Sequence, residues 1–326
     1  MLSVYTQQAG RVHNEVEVTD PNTLANAVWI DMVEPSREEE QAVEAVLRIE
    51  VPTPEEMRGL ESSSQIYREG DATVMTIRVV SSASTQSARA VAITFILTTA
   101  RLVTLRYGQP SPFRVFAERL AKQPELLSSP QSAMLGLLEA IVERAADILE
   151  KVGDRLDKVS ESLFAENSRA AEGVVSRDLE QALQEIGRSG ELVSRTRESL
   201  HSIDRIGPTL RSKQVASVTD ELKERLRILR RDVTSLLDHA TYVTAKIQFL
   251  LDSNLGLISI QQNAIIKILS VAALIFLPPT LVASIFGMNF EHMPGLKWTY
   301  GFPMALGLML VSSVVPYWYF KKRRWL

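Results

Sequence analysis

The chain has 326 residues, of which 45% are hydrophobic and 23% are charged, and its formal net charge is -3. A chain of this length predicts two or three structural units rather than one. It contains no cysteine, which excludes disulfides and thiolate metal sites. With no basic excess over the chain as a whole, we expect no nucleic-acid partner.

The first part of the chain, residues 1–125, predicts a cytoplasmic α/β domain. Segments rich in β-branched residues predict strands at 28–32, 73–80, 91–97 and 101–106. A helix is expected to begin at Ser36, because Glu39 follows three residues later in a capping-box pattern. The chain has no glycine-rich phosphate loop and no HExxH zinc motif. We therefore expect neither an enzyme nor an organic cofactor.

Residues 126–210 predict further cytoplasmic helices. Apolar residues recur there at alternating spacings of three and four, which is the pattern of an amphipathic helix. Acidic residues cluster on the opposite face, as in DRLDKVSESLFAE at 154–166. A solvated helix face is the ordinary explanation of these acids, and contact with a divalent cation is the alternative.

A single long helix is predicted over residues 215–286. Between 217 and 277 there is no proline, and Gly256 is the only glycine. A helix from 217 to 286 would be about 105 Å long, of which a membrane takes roughly 30 Å. The remaining stalk of about 70 Å is too lightly covered by its own chain to be stable alone. Oligomerisation is the expected consequence.

Two uncharged apolar runs, 268–286 and 301–320, predict membrane-spanning helices, of which the first would extend over about 266–286. A buried helix of a soluble domain is the less favoured alternative, because uncharged runs this long are rare there. Lys267 precedes the first run, and a basic tail at 321–326 follows the second, which places both termini in the cytoplasm. The loop at 287–300 then lies outside. The N-terminus shows no signal-peptide pattern.

One face of the long predicted helix, from the end of the stalk through the first span, is small or polar at most levels. We call this face the polar strip, and it comprises Asp252, Gly256, Ser259, Asn263, Ile266, Ser270, Ala273, Leu277 and Ser284, with Thr280 near its edge. Small residues also serve tight helix packing. Asp252 and Asn263 favour an ion pathway instead, since packing requires neither, and Leu277 would form a hydrophobic constriction. Pro278 and Pro279 predict a kink and freed carbonyl groups.

Three stretches on and between the predicted spans carry specific motifs: FLLDSNLG at 249–256, GMNFEHMPGLKW at 287–298 and YGFP at 300–303. They resemble the CorA family of divalent-cation channels, whose motif is the Gly-Met-Asn tripeptide found at 287–289. FLPPTLVASIFGMNF at 276–290 is similar to the proteobacterial branch, and the WID-x-x-x-P run at 29–35 extends the resemblance into the N-terminal domain. The resemblance implies a funnel-shaped homopentamer in the bacterial inner membrane, with five first spans lining a pore.

The resemblance also implies roles for individual residues. Gly287, Met288 and Asn289 would form the selectivity filter, with Asn289 contacting a hydrated Mg²⁺ ion, and Glu291 would remain as an acid in the loop. Leu269 and Leu277 would lie at a hydrophobic gate. The expected pore-lining residues are Asp252, Asn263, Ser270, Leu277, Thr280 and Ser284.

Two further groups have less specific assignments. Asp232 and Asp238 are our candidates for sensing cytoplasmic Mg²⁺, which would then be a regulatory as well as a transported ion. Lys267, Lys321, Lys322, Arg323 and Arg324 would form a basic collar at the cytoplasmic end of the pathway. Membrane topology and lipid head groups are the ordinary explanation of such a collar.

The sequence thus predicts a membrane-potential-driven channel for Mg²⁺ uptake, gated by cytoplasmic Mg²⁺, with Co²⁺ and Ni²⁺ as further candidate ions. A Zn²⁺ transporter of the same fold is the first alternative, because His292 in the loop could be a transition-metal ligand. A membrane-anchored signalling or scaffolding coiled coil is the more distant alternative, since periodicity alone permits it. The expected partners are other copies of the chain, divalent cations and the lipid bilayer.

Overall fold

The computed structural model describes residues 1–8, 11–16, 20–57, 59, 65–82, 89–165, 175–210, 219–288 and 298–323. The chain divides into two compact units. We call Met1–Leu251 the N-terminal unit and Asp252–Leu326 the C-terminal unit. Each is described by itself.

The described part of the N-terminal unit contains one mixed sheet of seven strands in the order β2-β1-β3-β7-β6-β5-β4. Strands β3 and β7 are parallel, and the other neighbouring pairs are antiparallel. The strands are β1 Leu2–Gln8, β2 Arg11–Val16, β3 Trp29–Val33, β4 Ile66–Glu69, β5 Ala72–Ser82, β6 Arg89–Leu97 and β7 Leu102–Arg106.

Short helices follow or separate these strands. They are α1 Pro21–Ala25, α2 Arg37–Leu47, α3 Pro54–Met57 and α4 Ser111–Leu120, followed by a 3₁₀ turn at Pro124–Leu127. The predicted capping box is confirmed at the start of α2. The backbone N–H of Ser36 donates to Glu39 Oε2 at 2.8 Å, and the N–H of Glu39 donates to Ser36 Oγ at 3.3 Å. The carboxylate of Glu39 also accepts from the N-terminal ammonium of Met1 at 2.9 Å.

The two faces of the sheet bury different side chains. On one face, alternate apolar residues of the strands pack with Leu24 of α1 and Val43 of α2. On the other, Trp29 is stacked on Tyr5 at 4.2 Å between ring centroids and meets Phe116 of α4 edge-on at 5.4 Å. Because β3 alternates between these two environments, all five of its residues are buried.

A buried ion pair lies at the centre of the aromatic face. Arg106 donates from Nε and Nη2 to the carboxylate of Asp31 at 3.1 and 2.7 Å. Thr104 Oγ1 donates to the same carboxylate at 2.7 Å and accepts from Trp29 Nε1 at 3.0 Å. Burial, reinforced by the charge of Asp31, raises the pKa of Tyr5 to about 12. The WID-x-x-x-P run therefore contributes Trp29 and Asp31 to one connected hydrogen-bond network.

Three long helices follow along the chain: α5 Pro130–Ala165, α6 Val175–Leu210 and α7 Asp220–Phe286. Gly136 of α5 lies against Phe116, where a Cβ atom would come within 2.4 Å of the ring. Ser202 Oγ of α6 accepts a hydrogen bond from the backbone N–H of Arg78 at 3.1 Å. Arg78 lies on the part of β5 that extends beyond its pairing with β4.

Within the N-terminal unit, α7 runs alongside α5 and is held there by ion pairs. Arg225 of α7 makes two hydrogen bonds to the carboxylate of Glu139, at 3.0 and 2.7 Å. Further along both helices, Lys246 Nζ donates to Asp157 Oδ1 at 2.6 Å. Both helices advance in the same direction between these pairs, so they are parallel.

The C-terminal unit comprises the rest of α7 and a second helix, α8 Gly301–Lys322. Both helices are long and apolar enough to cross a membrane by length and composition. Helix α7, with 67 residues, is about 100 Å long at 1.5 Å per residue. It starts at Asp220. The predicted start at 215 falls within 211–218, which lie outside the described residues.

Candidate functional site

The polar strip lies on the part of α7 that belongs to the C-terminal unit. At 100° per residue its members fall within about 120° of the helix circumference. Each of them is exposed in the single chain, from Asp252 at the start of the unit to Ser284 near the end of the helix. The strip is thus a continuous surface that its own chain leaves uncovered.

The second helix of the unit packs on a different side of α7. Val271 is only 4% exposed, and Ser313 Oγ of α8 donates to the carbonyl oxygen of Ile275 at 3.0 Å. The side carrying Val271 and Ile275 lies about 140° around the helix from the centre of the polar strip. Packing against α8 therefore does not account for the small and polar residues of the strip.

Pro279 explains why the carbonyl of Ile275 is available to α8. In a regular helix this oxygen would accept from the N–H four residues later, and proline has none. The helix continues through Pro278 and Pro279 to Phe286, and the hydroxyl of Ser313 occupies the place of the missing donor. The sequence predicted freed carbonyls but did not point to Ser313. Two adjacent serines in an apolar run are weak evidence for a contact between helices. Such serines often donate to a carbonyl of their own helix, as Ser312 does to Met309.

Two large apolar residues, Ile266 and Leu277, interrupt the small and polar levels of the strip. Leu277 is 65% exposed, and Thr280 donates its hydroxyl proton to the carbonyl of Phe276 at 2.7 Å, which leaves its oxygen lone pairs available as acceptors. Leu269 is 64% exposed but lies about 80° from Leu277 around the axis, at the border of the strip. Leu277 is the better placed of the two gate candidates.

The structure describes only the beginning of the Gly-Met-Asn motif. The N–H of Gly287 donates to the carbonyl of Ala283 at 2.9 Å, and a Cβ atom on Gly287 would lie 3.1 Å from that oxygen. Such a close approach favours glycine where the helix ends. Met288 is 48% exposed. Asn289, Glu291 and His292 lie outside the described residues.

The two candidate sensing acids do not meet within one chain. Asp232 and Asp238 are both exposed and lie about 120° apart around α7. Asp232 lines a cleft of about 410 Å³ between α5 and α7 that also contains Glu139 and Glu143. Glu139 is paired with Arg225, and Glu143 with Arg119. Among the described residues, no three acidic or histidine side chains are grouped to hold a metal ion.

The basic collar is divided between two helices. Lys267 is exposed on α7, on the border between the polar strip and the side that packs on α8. Lys321 and Lys322 belong to the last turn of α8, which extends two residues beyond the predicted apolar run, and Arg323 is its C-cap. Cations at a helix C-terminus interact favourably with the helix dipole, which explains why the helix includes them. Arg324 lies outside the described residues.

Comparison with known proteins agrees with the resemblance seen in the sequence. The family model for CorA-like Mg2+ transporter proteins matches residues 25–322. The chain belongs to this family. A curated relative, the magnesium transport protein CorA of Escherichia coli (strain K12), is 32% identical over 326 residues, covering 100% of both chains.

Solved structures show the same fold. The complete structure of the CorA magnesium transporter from Methanocaldococcus jannaschii matches with a TM-score of 0.73 and 18% identity, covering 100% of this chain and 99% of that one. The cytoplasmic domain of ZntB from Vibrio parahaemolyticus matches with a TM-score of 0.50 and 10% identity, covering 78% of this chain and 96% of that one. The CorA fold predicted from the sequence, with an N-terminal α/β unit, a long helix and two candidate spans, is confirmed.

Proposed function

We propose that this CorA-family protein transports Mg²⁺ across the bacterial inner membrane as an oligomeric channel. The observation that carries the proposal is the polar strip of α7, which is exposed in the single chain although the helix is apolar enough to span a membrane. A curated full-length relative at 32% identity is named as a magnesium transport protein, which supports Mg²⁺ as the ion.

The pathway requires several copies of the chain, because two spans cannot enclose one. Five copies with their polar strips facing a common axis would line it with rings of Asp252, Asn263, Ser270, Thr280 and Ser284. Leu277, with Leu269 beside it, would form a ring that closes the pathway by excluding water. Helix α8 would lie outside, since it packs on the side of α7 that bears Val271.

The entrance of the pathway would hold the ion with its water shell. Mg²⁺ loses its waters reluctantly, so a filter that binds the hydrated ion avoids most of that cost. A ring of Asn289 carboxamides, next to Gly287 and Met288, would accept hydrogen bonds from those waters. Glu291 would add negative charge near the entrance and raise the local cation concentration.

The membrane potential would drive the ion inward with both termini in the cytoplasm. It contributes about 2.3 kcal/mol per charge for each 100 mV, so a divalent ion gains roughly twice that amount. Regulation by cytoplasmic Mg²⁺ would need carboxylates from neighbouring chains, because Asp232 and Asp238 are far apart around α7 in one chain. Mg²⁺ bridging such acids would stabilise a closed state by mass action.

Ion flux into liposomes containing the purified full-length protein tests the proposal. We expect Mg²⁺ flux without a proton gradient, and loss of that flux in Asn289→Ala. Within α7, Asn263→Leu should lower Mg²⁺ flux at least tenfold by adding an apolar ring to the strip. Gln261→Leu is the matched control. It also removes a side-chain amide from α7, but at a position about 160° around the helix from Asn263, and it should retain flux within about twofold.

The same assay separates the alternatives. Co²⁺ and Ni²⁺ flux through the wild-type protein would extend the range of ions. Proton-coupled Zn²⁺ flux with little Mg²⁺ movement would contradict the proposal and favour the zinc alternative. Equal loss of flux in Asn263→Leu and Gln261→Leu would show that the polar strip does not line the pathway.

A further inference from the structure

The C-terminal end of α8 carries three consecutive pairs of an aromatic ring and a cation. Lys321 Nζ lies 5.8 Å from the Tyr317 ring centroid, Lys322 Nζ lies 5.4 Å from that of Trp318, and the guanidinium of Arg323 lies 5.7 Å from that of Tyr319. These distances are within the range of cation–π attraction. The three pairs follow one another at a spacing of four residues, so neighbouring positions repeat the same arrangement.

The pairs are not equivalent, because they point in different directions around α8. The side of α8 that packs within the unit carries Ala305, which is 6% exposed, and Ser313, which bonds Ile275. Trp318 and Lys322 lie about 180° and 140° around the helix from this side, whereas Arg323 lies only about 40° from it. Trp318 is 65% exposed. The Trp318–Lys322 pair therefore points away from α7.

Along the axis of α8, each cation lies about 6 Å nearer the C-terminus than the ring with which it pairs. In a membrane-spanning helix this places the ring near the upper acyl chains and the ammonium group at the depth of the phosphates. Tryptophan and tyrosine favour that interfacial position, and lysine extends from it toward water. The ring restricts the motion of the lysine side chain, which lowers the entropy lost when the ammonium binds an anion.

No carboxylate balances these cations along the helix. Residues 301–323 contain no Asp or Glu, so Lys321 and Lys322 lack an anionic partner on their own element. The phosphate diester of a phospholipid would complement the charge of the two lysines. The acyl chains of that lipid would lie along Tyr317 and Trp318. A zwitterionic lipid would be attracted less strongly, because its own ammonium group is repelled by the two lysines.

We propose that Tyr317, Trp318, Lys321 and Lys322 form a binding site for the head group of an acidic phospholipid. The site lies on α8 rather than on the polar strip of α7, and it does not depend on which ion the protein transports. It gives the outward-facing lysines of the collar a role that the polar strip does not require of them.

The test measures how strongly the purified full-length protein retains phosphatidylglycerol over phosphatidylcholine from mixed micelles, by native mass spectrometry. We expect the double variant Lys321→Gln/Lys322→Gln to lose selectivity by roughly fivefold for each cation removed. Arg323→Gln removes the same charge from the same turn but on the side nearer α7, and it should change selectivity by less than twofold. The mass spectrum also reports whether each variant keeps the oligomeric state of the wild type.

A second pair of variants tests the rings without changing charge. Trp318→Ala should weaken selectivity by about two- to fivefold, and Trp318→Phe should restore most of it, because phenylalanine retains a ring face. Unchanged selectivity in the double lysine variant would overturn the proposal. Equal losses in the double lysine variant and Arg323→Gln would also overturn it, by showing general electrostatic attraction. Competition by inorganic phosphate as strong as that by the lipid would show a phosphate site rather than a lipid site.

Discussion

The two units of this protein differ in how far their own chain buries their side chains. In the N-terminal unit, large side chains such as Trp29, Phe95 and Phe116 are fully buried, and the central carboxylate of Asp31 has partners from the same sheet. In the described part of the C-terminal unit, the buried hydrophobic residues are Val271 and Ala305. Phe276 and Phe302 there are 69% and 75% exposed.

This difference indicates where each unit finds its stabilising contacts. The N-terminal unit buries its apolar surface within one chain, as a water-exposed domain must. The C-terminal unit leaves apolar surface exposed in the single chain, which suits lipid, because in hydrocarbon only the backbone groups need internal partners. Its polar strip is also exposed, and in the proposed oligomer it would face other copies of the chain. Substitutions should therefore act through the chain's own contacts in the first unit and through a few specific polar contacts in the second.

The largest expected effect is the loss of the buried ion pair in the N-terminal unit. Asp31→Ala leaves the guanidinium of Arg106 buried without its carboxylate, which should lower the free energy of unfolding by about 3 to 5 kcal/mol. Denaturant unfolding of the full chain in detergent measures this. Glu118→Ala removes the partner of Arg114 in an exposed pair and is the control, with an expected loss below about 1 kcal/mol. Similar losses in the two variants would mean that the ion pair of Asp31 contributes no more to stability than an exposed pair.

A smaller effect separates two glycines of the same helix. A methyl group at Gly136 would collide with Phe116, so Gly136→Ala should destabilise the N-terminal unit by about 1 to 3 kcal/mol. Gly153, also in α5, has no neighbour within 4 Å of the added atom. Gly153→Ala should instead stabilise the helix by up to about 1 kcal/mol. Thermal unfolding of the two variants should shift in opposite directions, and shifts of the same sign would contradict the packing of α5 on α4.

The smallest effect concerns the hydrogen bond between the two candidate spans. Ser313→Ala should cost about 0.6 kcal/mol, since interhelical hydrogen bonds in membranes are weak on average. In a Pro279→Ala background the carbonyl of Ile275 regains a backbone donor, and the cost of Ser313→Ala should then vanish. A double-mutant cycle on unfolding of the reconstituted protein measures the coupling. The same cost in both backgrounds would show that Ser313 does not compensate for the proline.

Sequence patterns predicted the elements in which periodicity is strong. The four predicted strands are present as β3, β5, β6 and β7, and the α2 capping box has both of its hydrogen bonds. Strands β1 and β2 were missed because they include polar residues such as Gln7, His13 and Asn14. Strand β2 lies at the edge of the sheet, where no buried face requires alternation.

The candidate site was predictable in part for a similar reason. The polar strip follows from a period of 100° per residue on one helix, which sequence spacing encodes directly. Which side of α7 faces α8 depends on contacts between helices, and no local pattern reports them. The partner of the Ile275 carbonyl and the direction of the Trp318–Lys322 pair belong to the same class of information.

The amino-acid sequence by itself determined the long helix, whose residues up to 277 lack proline, together with the two apolar spans, the Gly-Met-Asn motif and the family. All of these depend on residues near one another in the chain. Only the tertiary structure decided that Asp31 pairs with Arg106, that Ser313 replaces the donor lost at Pro279, and that the polar strip is left uncovered by α8. The physical reason is that a buried charge or a freed carbonyl takes whichever partner packing brings within hydrogen-bond distance, and that partner can lie anywhere in the sequence.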